Sequence, residues 1–450
     1  MRMWSLIVIC LMLATVAVAQ VPEEPRTIHQ IEAALHRDTP TSADLLGRPG
    51  EPILPLRPRA ATASHPCATV FGYLPYWSSS ANLHYDLLTH IACFSVEVNA
   101  NGSLGDDHGW PWTSVINTAH ANGVKIVLVA TLFDSGDIYT LITNSTYKNN
   151  FFANIKAKML EGAADGLNID FEGGGSAWKA HINSFMFDLT NYLHNELPGS
   201  EVTFAGPAVN WSNEWDLPGL AASCDGIFIM GYAFWGSWSS TSGPNAPLTG
   251  GTYNITNTVL TQYAQVTQNN PEKLILGVPY YGHHWKTTTS DARSSVTSYL
   301  GPTWFYDDEP ASQTYGVIWE DLSQTPWYRW FDGTNWNQVW FDNAQSLGLK
   351  YDLAIDHDLQ GVGMWALGYD GARPELWDQL ATQFGGCSNG CCDMDGDGDV
   401  DFNDVSAHLF CLGGPDNTYA EGNFCLGGDT DGDDDVDMRD YAQLQVDWGG

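Results

Sequence analysis

The sequence predicts an α/β fold, a closed (β/α)8 barrel in which eight parallel strands alternate with helices. The first observation is a set of eight short apolar runs between residues 69 and 365. The second is helical spacing in several segments between them, such as 112–121 and 177–197. A doubly wound open sheet is the alternative, but no glycine-rich phosphate loop follows the first run. The eight runs are 69–73, 90–94, 124–129, 166–171, 202–205, 226–230, 274–278 and 361–365.

Four segments divide the chain. Residues 1–19 have the features of a signal peptide, with Arg2, an apolar run too short to span a bilayer, and a small-x-small cleavage site. We therefore expect a secreted, extracellular protein, with attachment to the cell surface as an alternative. Residues 20–66 are rich in Pro, Arg, Ala and Thr, which predicts a linker or pro-segment with one short helix around Thr27–Leu35. The barrel is predicted over 67–386 and a separate acidic domain over 387–450.

The net charge of −35 argues against nucleic acid or an anionic membrane as a partner. Without Cys10 in the signal peptide, eight of the nine cysteines remain. Three lie in the barrel segment and five near the end of the chain. If all of them pair, at least one disulfide must join the two groups, and the sequence leaves the pairing open.

One predicted strand carries alternating polar groups. In residues 165–172 the side chains of Asn168, Asp170 and Glu172 point to one face and the apolar side chains point to the other. We expect the polar face to line the barrel interior and Glu172 to lie at the C-terminal end, where barrel enzymes place their chemistry. Two carboxyl groups in unequal environments suit a site in which one stays protonated as an acid. On spacing alone, a half-exposed strand with a solvated face is the alternative.

The run Asp165-Gly166-Leu167-Asn168-Ile169-Asp170-Phe171-Glu172 resembles the Asp-Gly-x-Asp-x-Asp-x-Glu signature of glycoside hydrolase family 18. This family contains chitinases, chitobiases and related β-N-acetylglucosaminidases. Five further runs resemble other strands of the family and occur in the right order. They are Phe71-Gly72-Tyr73 with Tyr76-Trp77, Leu88 to Phe94, Met230-Gly231-Tyr232, Leu276 to Gly282, and Met364 to Gly368.

The resemblance implies a role for each matching residue. Glu172 is expected to protonate the glycosidic oxygen, while the substrate's own N-acetyl oxygen attacks the anomeric carbon, so that no enzyme nucleophile or catalytic cofactor is needed. Asp170 is expected to accept a hydrogen bond from the acetamide N–H and to stabilise the oxazolinium charge. Tyr232 is expected to donate its hydroxyl to the acetamide, and Trp365 to form an apolar floor under the sugar. The expected substrate-binding set is completed by Asn168, Tyr73, Phe94, Met230 and Tyr280, although ordinary core packing is the alternative for buried aromatic residues.

Two positions depart from the family pattern. Asn168 stands where many members have Asp, and it can form hydrogen bonds but carries no charge. Ala233 stands where an Asp usually follows the tyrosine of strand six. We expect the loss of that carboxylate to weaken substrate positioning and to shift the pH optimum.

The stretch between Trp285 and Gly361 is expected to form an inserted α+β subdomain. It could form a wall over the cleft, as in some family members. Its exposed tryptophans would then stack on sugar rings, and the alternative is that they fill the subdomain's own small core. The six tryptophans in question are Trp304, Trp319, Trp327, Trp330, Trp336 and Trp340.

The acidic C-terminal segment contains two similar runs with carboxylates in the spacing of calcium loops, each followed by a helical pattern. A disordered acidic tail is the alternative, but two copies with the same carboxylate phase argue against it. The duplicated loop and helix resemble a type I dockerin domain, which implies structural Ca²⁺ and a cohesin-like partner. Cysteines outside the usual pattern leave that partner in doubt. The expected metal ligands are Asp393, Asp395, Asp397, Asp399, Asp401 and Asp404 in the first run, and Asp429, Asp431, Asp433, Asp435, Asp437 and Asp440 in the second.

These observations favour a secreted hydrolase that cleaves β-1,4 linkages beside N-acetylglucosamine. Chitin is the first expected substrate, followed by peptidoglycan and glycoprotein glycans. A weakly active or inactive barrel that binds chitin or N-acetylglucosamine is the alternative, which the missing carboxylate at Ala233 favours mildly.

Overall fold

The computed structural model describes residues 27–57, 66–174, 177–385, 409, 411–413, 425 and 436. Elements are numbered along the chain. Within these residues no helix is both long and apolar enough to cross a membrane.

Eight parallel strands close into a barrel, in the spatial order β1-β13-β7-β6-β5-β4-β3-β2. Each of the eight predicted runs overlaps one of these strands, so the fold predicted from the sequence is confirmed. The barrel strands are β1 (Thr69–Pro75), β2 (His90–Glu97), β3 (Lys125–Leu132), β4 (Gly166–Phe171), β5 (Glu201–Pro207), β6 (Gly226–Met230), β7 (Leu274–Pro279) and β13 (Gly361–Trp365).

The barrel strands are almost entirely buried because side chains fill the interior on one side and helices cover the other. Helices α3 and α6 coincide with the two segments predicted from helical spacing. The helices of this layer are α3 (Thr113–Ala121), α4 (Ser135–Thr143), α5 (Ser145–Gly162), α6 (Lys179–Glu196), α7 (Leu217–Ala221), α8 (Ile255–Asn257), α9 (Ala264–Asn269), α11 (Ala344–Asp356) and α12 (Glu375–Phe384).

An α+β subdomain is inserted between β7 and β13, as predicted. It is a five-stranded antiparallel sheet in the order β10-β11-β12-β8-β9 with one helix, α10 (Phe305–Tyr315). Its strands are β8 (Tyr281–Thr287), β9 (Val296–Trp304), β10 (Ile318–Glu320), β11 (Thr325–Phe331) and β12 (Trp336–Trp340). A separate cluster of buried tryptophans, Trp285, Trp327 and Trp340, forms the core of this sheet.

The segment predicted as a linker or pro-segment is folded against the barrel over residues 27–57. It contains α1 (Ile28–His36), which matches the predicted short helix, and α2 (Ala43–Leu46). Thr27 caps α1 by accepting a hydrogen bond from the backbone N–H of Gln30. Leu45 is fully buried and joins the main hydrophobic core.

The described cysteines do not all pair. Cys93 and Cys224 are buried as free thiols. The condition that all eight cysteines pair is therefore not met. Cys411 and Cys425 form a disulfide, and Cys67 is also disulfide-bonded.

Candidate active site

The polar face of β4 points into the barrel, where Asn168 and Asp170 are fully buried and Glu172 is 5 % exposed. Asn168 accepts a hydrogen bond from the Tyr73 hydroxyl at 2.8 Å and donates one to Oγ1 of Thr203 at 2.9 Å. Its hydrogen bonds therefore link β4 to the adjacent strand β5 and, across the barrel interior, to β1.

Asp170 and Glu172 meet side chains from outside the barrel at the C-terminal end of β4. Nδ1 of His29, on α1, lies 2.9 Å from Oδ2 of Asp170 and 3.3 Å from Oε1 of Glu172. The hydroxyl of Thr27 donates to the other carboxyl oxygen of Glu172. Nε2 of His29 lies 2.8 Å from the hydroxyl of Tyr232. A single imidazole ring thus contacts the three residues for which the sequence predicts catalytic roles.

Aromatic rings from three barrel strands surround this cluster. Trp365 is fully buried, and its indole ring is stacked on the imidazole of His29 at 3.8 Å between ring centroids. Phe94 meets Trp365 edge to face at 4.9 Å, and Tyr73 lies 5.5 Å from it. Trp365 therefore lies in the same cluster as the carboxyl groups, and its role as the floor under the sugar stays a prediction.

The environment of Glu172 favours its protonated form. Burial raises the pKa of this carboxyl, the charge of Asp170 raises it further, and hydrogen bonds from His29 and Thr27 oppose the rise, with a resulting pKa of about 7. A carboxyl group with such a pKa can hold a proton near neutral pH and deliver it as a general acid.

The loop after β6 carries Tyr232 and the unusual Ala233. Ala233 has a left-handed backbone with φ of 59°, and its N–H donates to Oδ1 of Asn245 at 2.9 Å. Asn245, which is fully buried, also donates to the carbonyl of Tyr281 at 3.0 Å. An amide from the following loop therefore organises the chain where the family usually has a carboxylate. Met230 is buried at the end of β6.

The structure brings Tyr281 towards the site instead of Tyr280. The hydroxyl of Tyr280 interacts with Tyr351 of α11, in the helical layer, whereas the ring of Tyr281 lies 6.0 Å from that of Tyr232. The difference follows from the alternation of side chains in the extended chain after β7. The substrate contact predicted at Tyr280 stays a prediction, and Tyr281 is the tyrosine whose ring contacts Tyr232.

Sequence reasoning missed two buried residues of α1 that contact the site from outside the barrel, His29 and Glu32. Glu32 Oε2 accepts hydrogen bonds from Nε1 of Trp365 at 2.8 Å and from the hydroxyl of Tyr369 at 2.7 Å. Their spacing places both side chains on one face of the short helix predicted around Thr27–Leu35. Nothing in that spacing indicates which surface the face covers.

Two of the six tryptophans of the insertion lie in the subdomain's own core, and the sugar-stacking role of the other four stays a prediction. Trp327 and Trp340 fill the subdomain core, as the alternative reading held. Trp304 and Trp330 are partly buried and pack against the main core, and Trp319 and Trp336 are partly exposed. The twelve aspartates predicted to bind calcium lie outside the described residues.

Relatives of this chain support a glycosidase assignment. Human di-N-acetylchitobiase is 27 % identical over 303 residues, which cover 58 % of this chain and 74 % of that protein. The cortical fragment-lytic enzyme of Bacillus subtilis is 23 % identical over 312 residues, covering 66 % of this chain and 68 % of that enzyme.

Solved structures show the same fold. The Group IV chitinase of Ostrinia furnacalis has a TM-score of 0.62 at 22 % identity, covering 70 % of this chain and 98 % of that structure. The family 18 chitinase of Cycas revoluta in complex with (GlcNAc)3 has a TM-score of 0.62 at 20 % identity, covering 70 % and 99 %. The model for glycosyl hydrolases family 18 matches residues 69–370, which contain the whole barrel with its carboxylate strand and its insertion. The chain therefore belongs to glycosyl hydrolase family 18, and it is a glycoside hydrolase.

Proposed function

We propose that this protein cleaves β-1,4 linkages in polymers of N-acetylglucosamine by a retaining, substrate-assisted mechanism. The observation that carries the proposal is the placement of Asp170 on β4 and of Glu172 directly after it, in one cluster with Tyr232 and Trp365 around His29. In this arrangement one carboxyl can serve as the acid while the other serves the substrate's acetamide group.

The sugar at the reaction centre would occupy the space between Trp365 and the two carboxyl groups. Its acetamide N–H would donate to Asp170, and the Tyr232 hydroxyl would bind the acetamide oxygen. These contacts hold that oxygen close to the anomeric carbon, which makes the attack intramolecular. Glu172 would donate its proton to the leaving oxygen and then accept one from the attacking water.

Chitin is the first proposed substrate because the relatives include chitobiases and the structural neighbours include chitinases. Peptidoglycan comes second because a cortical fragment-lytic enzyme is also among the relatives. Product analysis with chitin oligosaccharides and with peptidoglycan tests the two assignments. An NMR measurement of the anomeric configuration of the first product tests retention. A first product with inverted configuration would contradict the mechanism, and binding without any hydrolysis would favour a carbohydrate-binding barrel.

Residues 387–450 are proposed to bind structural Ca²⁺ through their two aspartate runs, and a cohesin-like protein is the proposed partner of that segment. The support is the spacing of the carboxylates, because several carboxylates in one loop repel one another without a cation. A chelator titration followed by circular dichroism tests calcium binding, and an unchanged spectrum on calcium removal would contradict it. Secretion through residues 1–19 is proposed from their signal-peptide pattern.

A further inference from the structure

The N-terminal helix α1 occupies the place that the proposed function reserves for the sugar. His29 lies between Trp365 and the two carboxyl groups, and both His29 and Glu32 are fully buried. The polar groups that would bind an acetamide are engaged by this one side chain. We propose that residues 27–36 are an intramolecular inhibitor of the active site, in which His29 takes the position of the substrate's N-acetyl group. This inference rests on the proposed substrate-assisted function.

The contacts of His29 fall on the same protein groups as those expected for the acetamide. Nδ1 is the nitrogen beside Asp170, so it donates to the carboxylate as the acetamide N–H would. Nε2, which is also protonated in the imidazolium, donates to the Tyr232 hydroxyl, the same group that is expected to donate to the acetamide oxygen. The planar ring lies against Trp365, with 28° between the ring planes.

The charge of His29 strengthens the match. Burial would lower the pKa of this imidazole, but the charges and hydrogen bonds of Asp170 and Glu172 together raise the pKa to about 9. At neutral pH the ring is therefore a planar, five-membered cation beside Asp170. The oxazolinium ion of the substrate-assisted mechanism is also a planar, five-membered cation, so the site would bind His29 through the interactions that stabilise its reaction intermediate.

Further residues of α1 contact aromatic side chains of the barrel, so the helix covers more than the place of a single sugar. Glu32 accepts hydrogen bonds from the indole N–H of Trp365 and from the hydroxyl of Tyr369. One turn later, the ring of His36 is stacked on Trp77 with 4.4 Å between centroids and 11° between planes. Sugar rings also stack on tryptophan in proteins, and histidines of α1 cover the rings of Trp365 and Trp77.

The segment that follows α1 fixes it to the barrel surface. His36 accepts a hydrogen bond at its carbonyl from the hydroxyl of Tyr76. Farther along, the backbone N–H of Leu54 donates to Asn117 of α3, and its carbonyl lies within hydrogen-bond distance of His120. Covalent attachment keeps α1 at a high effective concentration near the site, so a modest intrinsic affinity is enough for inhibition.

Substitutions on α1 in the full-length protein test this proposal. The variant His29→Ala/Glu32→Ala removes the contacts with the carboxyl groups and Trp365. Leu35→Ala is the matched control, because Leu35 lies on the same helix and is 62 % exposed. A helix in rapid equilibrium with the site competes with substrate. The double variant should therefore have a KM for chitin oligosaccharides that is lower by about tenfold or more. A tenfold change corresponds to a loss of about 1.4 kcal/mol in the free energy that favours the closed state. Its kcat should be unchanged, and Leu35→Ala should match the wild type.

A second measurement separates this inference from the proposed hydrolysis. In a Glu172→Gln background, binding of (GlcNAc)3 is followed by tryptophan fluorescence, with and without the two α1 substitutions. Tighter binding in the triple variant supports occupation of the site even if no variant hydrolyses any substrate. The ligand atoms of His29, Asp170 and Glu172 lie within 4.8 Å of one another, and a parallel set of samples with chelator tests whether a metal ion held there contributes.

The outcomes are distinct. Hydrolysis by all variants with equal KM values would overturn the inhibitor and leave the enzyme in place. Absence of hydrolysis would overturn the proposed function, and equal trisaccharide affinities would then overturn the inhibitor as well. A lower kcat in the double variant, with unchanged KM, would assign α1 a structural role and also overturn the proposal.

Discussion

The imidazole ring of His29 is stacked on the indole ring of Trp365, with 3.8 Å between their centroids. The two residues are separated by most of the barrel sequence, and their contact joins the N-terminal segment to the last barrel strand. The stack covers the surface on which the substrate sugar is proposed to lie. The activity of this glycoside hydrolase therefore depends on the position of its own N-terminal helix.

Closure of the site by α1 should weaken as the pH rises. The closed state raises the pKa of His29 from 6.5 to about 9, and burial raises that of Glu32 from 4.5 to about 7. A raised pKa means that the closed state binds the proton more tightly than the open state does. The stabilisation of the closed state by His29 is therefore complete below pH 6.5 and is lost as the pH rises through about 9. Glu32 changes the stability of the closed state in the same direction, and its effect is lost as the pH rises through about 7.

The measurement is the ratio of KM between the wild type and His29→Ala/Glu32→Ala from pH 6.5 to 9. The titratable groups that face His29 are Asp170, Glu172, Tyr73 and Tyr232. Their effects on catalysis are present in both proteins, so the ratio of KM values reports only the effect of α1. The ratio should fall towards one at the alkaline end. A ratio that stays constant or rises with pH would contradict this account of closure.

Asp170→Asn should lower kcat while it loosens α1. The amide keeps the shape of the carboxyl group but loses the charge that stabilises the oxazolinium ion, and removal of one such electrostatic group costs about 10²–10³ in kcat. The same change removes the ion-pair partner of His29, so the apparent KM should not rise. Steady-state kinetics with and without the α1 substitutions check both effects. A variant with wild-type kcat would remove Asp170 from the mechanism.

Asn168→Leu should destabilise the barrel. The substitution leaves the buried hydroxyls of Tyr73 and Thr203 without their partner, at about 1–3 kcal/mol for each unsatisfied group. Thr203→Val is the milder control because it leaves the Tyr73 contact intact. Denaturant unfolding measures the free energy of unfolding for both variants. An unfolding free energy equal to that of the wild type for Asn168→Leu would show that this hydrogen-bonded layer contributes nothing to stability.

The barrel and the polar face of its fourth strand were predictable because both depend on local patterns, whereas the catalytic roles on that face were expected only from the family resemblance. Apolar runs of strand length mark β1 to β7 and β13, and the alternation along β4 places Asn168, Asp170 and Glu172 on one face. The helix around Thr27 was predictable for the same reason. Its docking into the active site was not, because a short helix with His29 and Glu32 on one face fits many polar surfaces. The choice between Tyr280 and Tyr281 depends on the register at the end of β7, which a sequence pattern locates only to within a residue or two.

The most direct test of the account compares hydrolysis of chitin oligosaccharides by the opened protein, His29→Ala/Glu32→Ala, with and without Glu172→Gln. Removing α1 from the site in both proteins ensures that the comparison reports the chemistry and not the inhibitor. General acid catalysis contributes about 10²–10⁴-fold, so kcat should fall by about that factor in Glu172→Gln, because glutamine cannot donate a proton to the leaving oxygen. Equal kcat values in the two proteins would contradict the assignment of Glu172 as the acid and, with it, the proposed mechanism.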